Sequence, residues 1–211
     1  MLDTSRNISL ACALSALAGY VDAIGFLHLG GLFVAFMSGN STRMGVSLAE
    51  GQWLSAAEAF GLTALFVIGA AAGSLIVLGR GANRQPWLLL AEALLLAAAA
   101  VCYSFGLSNV AVAAIVVAMG LENAVFQIRG GAGLGLTYVT GALVKVGQRL
   151  AAALTGGARL GWVPNLLLWA AMVMGSLCGA LAYYWINLAA IWFAAGAALA
   201  LSAILAATTH R

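Results

Sequence analysis

The chain reads as an all-α polytopic membrane protein, with about six transmembrane helices plus two broken or re-entrant segments in an inverted repeat. Three observations predict this. Of 211 residues, 64% are hydrophobic and only 7% charged, with a mean hydropathy of +1.05. A soluble domain carries about 25% charged residues, and a chain of this size must leave much of its surface facing the solvent. The solvent for which this chain is built is therefore hydrocarbon. Second, eight apolar segments can be marked, at about 8–28, 31–49, 54–79, 87–105, 108–128, 132–155, 162–185 and 187–207. Most have the ~20 residues that a spanning helix needs. Third, the second and sixth segments, which occupy the same place in each half, are interrupted by Gly, Ser and Thr and carry cations.

The first segment follows MLDTSRN, and with Ala16-Leu17-Ala18 it has the outline of a cleaved leader. Asp3 offsets Arg6, and the residues just after the triplet recur later, so the segment is expected to be kept. Ser15, Gly19, Asp22 and Phe26 fall on one helix face, small then polar. The second segment holds FMSGNSTRMG, residues 36–45. Ser38, Gly39, Asn40, Ser41, Thr42 and Arg43 break a helix and place a charge where hydrocarbon should be. The third segment carries Gly69-x3-Gly73, a spacing suited to close helix contact. Its Glu58 lies about one turn from an interface and reads as reaching water. Pro86 opens the fourth segment, a position where proline is tolerated. Glu92, about a turn from Pro86, reads the same way as Glu58.

The fifth segment repeats the first stripe as Gly120, Asn123 and Gln127, beside Glu122. Gly130-Gly131-Ala132-Gly133 reads as a turn into the sixth segment, because no strand precedes it and no Walker lysine follows. The sixth segment contains Thr140, Gly141, Lys145 and Arg149. Pro164 opens the seventh, which holds Gly175-x3-Gly179. Trp53, Trp87, Trp162 and Trp185 stand near segment ends, as interfacial anchors do. Cys12, Cys102 and Cys178 are isolated and read as packed thiols.

Counting basic residues decides the crossings. If all eight segments cross, Arg6, Arg159 and Arg211 lie on one side and Arg80, Arg84 and Arg129 on the other. If segments two and six return to the side they entered, the chain crosses six times and all six arginines share the cytoplasmic side. The second arrangement obeys the positive-inside bias. Irregular backbone at membrane depth survives only inside protein or along a wet cavity.

The halves also align. Gly19-Tyr20-Val21-Asp22-Ala23 matches Gly120-Leu121-Glu122-Asn123-Ala124 at a shift of 101. Ser38-Gly39-x3-Arg43-x-Gly45 matches Thr140-Gly141-x3-Lys145-x-Gly147 at 102, and Gly69-x3-Gly73 matches Gly175-x3-Gly179 at 106. One domain, 1–211, is expected, with repeats at about 8–105 and 108–207. An odd number of crossings per half inverts one repeat relative to the other, as in many transporters and channels.

GYVDAIGFLHLGGLFVAFMSGNSTRMG, GLENAVFQ and LTYVTGALVKVGQRLA resemble the YoaK family, a bacterial group of integral membrane proteins. The resemblance covers nearly the whole chain and is most specific in GYVDA, MSGNSTR and YVTGALVKVGQ. It implies an inner-membrane protein of about six helices and no particular activity.

Function is therefore argued from the residues. A cation at the centre of a spanning helix costs ~2.5–3.5 kcal/mol on insertion scales, so Arg43 and Lys145 need a partner or a wet cavity. One expectation is an anion site between the two cations, with half-helix amides at Ser38-Gly39 and Thr140-Gly141 and the hydroxyls of Ser41 and Thr42. Another is plain neutralisation, Arg43 with Asp22 and Lys145 with Glu122. Asp22 is either a fixed counter-ion or a group that binds and releases a proton. Asn40 would shape the first break, and Asn123 belongs to the matching stripe. His28 and His210 sit in no metal or triad pattern, and no nucleophile elbow is present, so neither enzyme nor cofactor is expected. The reading is a small-solute transporter, with an anion as the solute class the two cations suggest, and with a passive channel or a non-transporting membrane scaffold as alternatives. Lipid is the expected surrounding, nucleic acid is not a partner, and a homodimer is expected from size. Both termini are placed in the cytoplasm.

Overall fold

A computed structural model describes residues 5–79, 84–125 and 139–209. Arg80, Gln127, Arg129, the Gly130–Gly133 run, His210 and Arg211 lie outside the described residues, as does the side chain of Arg6. The helices are α1 (Ser5–His28), α2 (Met37–Ala49), α3 (Trp53–Gly79), α4 (Gln85–Ser104), α5 (Ser108–Glu122), α6 (Val139–Leu154), α7 (Val163–Ile186) and α8 (Ile191–Thr209), with a 3-10 turn at Asn187–Ala190. No strand occurs among the described residues. The chain is an all-helical polytopic membrane protein.

Stretches long and apolar enough to cross a bilayer are Asn7–His28, Trp53–Gly79, Gln85–Ser104 and Val163–Thr208, the last bent at Asn187 into α7 and α8. α5 is shorter, at 15 residues. Segments two and six behave differently. Only 13 residues of the second are helical, about 20 Å of helix at ~1.5 Å per residue. Residues 29–36 before it are irregular. Ser38 and Thr140 are each the second residue of a short helix, α2 and α6. Pro86 and Pro164 stand in the first turns of α4 and α7. Trp162 caps the N-terminus of α7, and Trp53 and Trp185 are largely exposed at helix ends.

Packing follows the small residues. α1 lies along α7, α3 along α5, α4 between α5 and α8, α2 on α3 and α6 on α7. Gly69 and Gly73 of α3 meet the backbone of α5 at Val117 and Leu121, and Gly120 of α5 meets Phe66. In the other half, Gly175 and Gly179 of α7 meet the backbone of α1 at Ala16 and Tyr20, and Gly19 of α1 meets Met172. Each contact in one set has its counterpart in the other. A side chain at any of these glycines would enter a neighbouring main chain. Around them the core is built from Leu14, Val21, Ile24, Leu88, Leu96, Ile115 and Met119, all essentially inaccessible.

Candidate functional site

The first break is held by two polar side chains. α1 stops at a turn in which Gly30 (φ 63°) and Gly31 (φ 105°) take left-handed conformations that suit glycine. The chain then runs back beside α1 as Leu32–Phe36. A backbone stretch with no helix partner at this depth needs other acceptors. Asp22 supplies one: its Oδ1 accepts from the Val34 N–H at 2.9 Å and the Ala35 N–H at 2.8 Å. Asn40 supplies a matched pair from α2. Its Nδ2 donates to the Phe33 carbonyl at 2.7 Å, and its Oδ1 accepts from the Phe33 N–H at 2.8 Å. Both side chains are buried, Asn40 completely. Asn40→Ala should therefore cost about 2 kcal/mol, the penalty for stranding buried backbone groups, read as a lower unfolding midpoint in detergent. An unchanged midpoint would show that Phe33 needs no clasp.

This overturns one expectation. Asp22 is not the counter-ion of Arg43, because the amides of the break take its oxygen instead. The Arg43 side chain is exposed, and its Nη1 sits 3.0 Å from where a Cβ on Gly31 would stand. Lys145 does not pair with Glu122 either. Lys145 is exposed on α6, which packs on α7, whereas Glu122 is buried at the end of α5. Among the described residues neither cation forms an ion pair. Ser41 and Thr42 return their hydroxyls to their own helix, at Met37 and Ser38. Ser38 is exposed, and Gly39 lies beneath the rings of Phe33 and Phe36. Asn123 donates to the Met119 carbonyl, and Gly141 is half-buried on α6.

The structure brings Asp22 and Thr140 to one open cavity of about 650 Å³. Its walls come from α1, the first break, α6 and α7. Phe26, Phe33 and Phe36 form an aromatic row, with centroids 4.9 and 5.2 Å apart. Trp169, Leu143 and Ser176 complete it. The lining is mostly apolar; among the described residues Asp22, Thr140 and Ser176 are its polar members, and no cation belongs to it. The α7 wall was absent from the sequence reading, although a signal for it exists. Met172, Gly175, Ser176 and Gly179 share one helix face, and that face complements the Ser15–Gly19–Asp22 stripe. Ser15 confirms the match by donating to the Leu168 carbonyl at 3.0 Å.

Glu92 is a second correction. It does not reach water: it is 0% exposed, as is Glu122. Glu58, by contrast, is exposed on α3.

Comparison with known proteins adds the following. The family model described as "Protein of unknown function (DUF1275)" matches residues 10–204. A UPF0700 transmembrane protein of Rhizobium meliloti (strain 1021) is 36% identical over 200 residues, which cover 95% of this chain and 86% of that protein. No solved structure matches.

Proposed function

The chain belongs to the DUF1275 family, and from that premise we propose that it is a small-solute membrane transporter whose route includes the cavity between α1, the first break, α6 and α7. The observation that carries this reading is the meeting of both short helices' starting regions at one open space. Phe36, at the start of α2, and Val139 and Thr140, at the start of α6, all line it. Transporters place their sites where discontinuous helices of two repeats converge. An apolar, aromatic lining with few polar groups suits a small neutral solute. The anion of the sequence reading has less support, since Arg43 and Lys145 stand outside the lining.

The reading is of a carrier and not an enzyme, placed in a bacterial inner membrane with both termini cytoplasmic. The arginine count supports that placement. The resemblance to the YoaK family adds no activity to it. The exposed polar residues Ser38, Ser41 and Thr42, with Arg43 and Lys145, are poorly suited to lipid and favour a second copy as their cover.

A test needs no known solute. With Cys12, Cys102 and Cys178 replaced, Ser176→Cys in proteoliposomes should react with a charged, membrane-impermeant thiol reagent applied from one face. Phosphate, glycerol and indole can then be screened for protection, and indole is expected to protect best. Protection by phosphate alone would restore the anion. If Cys at 176 reacts from neither face, the space is sealed and the scaffold reading takes over.

A further inference from the structure

Glu92 lies within α4, and Glu122 closes α5. The two helices pack together and are joined by the short turn at 105–107. Glu92 stands twelve residues before Ser104, and Glu122 fourteen after Ser108. At ~1.5 Å per residue both lie about 20 Å from the turn, so the carboxyl groups share one depth in the bilayer. Both are wholly buried, and none of their four oxygens has a hydrogen-bond partner among the described residues. Packing does not require an acid here. In the first half the position matching Glu122 is Val21, equally buried.

Among the described residues the surroundings offer no compensating charge. α8 and the turn at Asn187–Ala190 contain no titratable side chain. On α3 the titratable group is Glu58, which is exposed. On α1, Asp22 serves the amides of the break, and His28 lies near Tyr103 and Tyr183. Arg84, at the start of α4, donates to the Val77 carbonyl. A carboxylate left bare in such a place is so costly that it gives up its charge rather than stay ionised. A metal ion is poorly served, because no third His, Cys, Asp or Glu joins the pair among the described residues.

We propose that Glu92 and Glu122 form a proton-binding site inside the bilayer, separate from the cavity, that takes up and releases a proton as the protein changes conformation. Uptake turns a carboxylate into a carboxylic acid, the proton arriving from water at one face; release returns it. The binding stands on the pair itself, whereas its use to drive solute movement rests on the transport reading.

Infrared spectra of the full-length protein in lipid, recorded across pH, test this directly. A buried carboxylic-acid carbonyl band should be present in the wild type, decline as pH rises, and change in both Glu92→Gln and Glu122→Gln. A band that is absent, or constant while helix content holds, overturns the proposal. Should either variant fail to fold, the wild type decides through dicyclohexylcarbodiimide, which couples to protonated carboxyls in apolar surroundings. Peptide mapping should find the adduct on Glu92 or Glu122, not on water-facing Glu50, and less of it at alkaline pH. No adduct at either position at any pH counts against the site. A pair that titrates in a protein that moves no solute removes transport and leaves the site standing. Solute flux without titration removes the site alone.

Discussion

Asp22→Ala should destabilise the protein by about 4 kcal/mol, measured by titrating the folded protein in mixed micelles with dodecyl sulfate. The Val34 and Ala35 amides would lose their shared acceptor, and stranding a buried donor costs ~1–3 kcal/mol apiece. Asp22→Asn keeps an oxygen in place and should recover most of the loss. If the alanine variant unfolds at the wild-type midpoint, the break is held by something other than this side chain. Cavity access belongs in the same experiment, because the break forms one of the cavity's walls. The alanine variant should alter labelling of Ser176→Cys as well as stability.

Gly175→Val should lower stability by about 3 kcal/mol, at the upper end of what overpacking costs. The new side chain would meet the Ala16 main chain of α1, and a helix backbone cannot turn aside as a flexible side chain can. α1 and α7 must then separate along a contact that also contains Gly19 and Gly179. Gly69→Val should do the same to α3 and α5 through Val117. Gly61→Ala is the control. It lies on the same helix as Gly69, has open space where its Cβ would stand, and should be neutral or gain up to ~1 kcal/mol from helix propensity. Equal losses at Gly61 and Gly175 would mean that close approach is not what these glycines provide.

The legible part of the fold was its periodic part. Four-residue glycine spacings in an apolar helix serve few purposes, and both became helix contacts. The small-then-polar stripe on the first segment pointed inward because a 3.6-residue period fixes a face. A period does not say what waits opposite that face. Asp22 was correctly placed inside and given the wrong partner, since the amides of 34 and 35 became available only once residues 29–36 left the helix. Glu92 failed for a related reason. Counting turns from Pro86 measures depth along an axis, whereas exposure is decided sideways, by α5 and α8. The α7 wall of the cavity was written in spacing but needed its complement on α1 before it meant anything. Arg43 and Lys145 drew attention as charges in an apolar stretch, yet the helices carrying them leave both at the surface.

The pairing of α1 with α7 has a consequence for biogenesis. Ser15 and Leu168 are 153 positions apart in sequence, so the surface that receives the first helix does not exist until most of the polypeptide has been synthesised. α3 meets α5 much sooner. During synthesis the first helix must wait in the membrane with its small, polar face uncovered, and non-local pairing of this kind is slow. Chains that stall before the seventh helix emerges would leave Asp22 and its neighbours open to the proteases that patrol the bilayer.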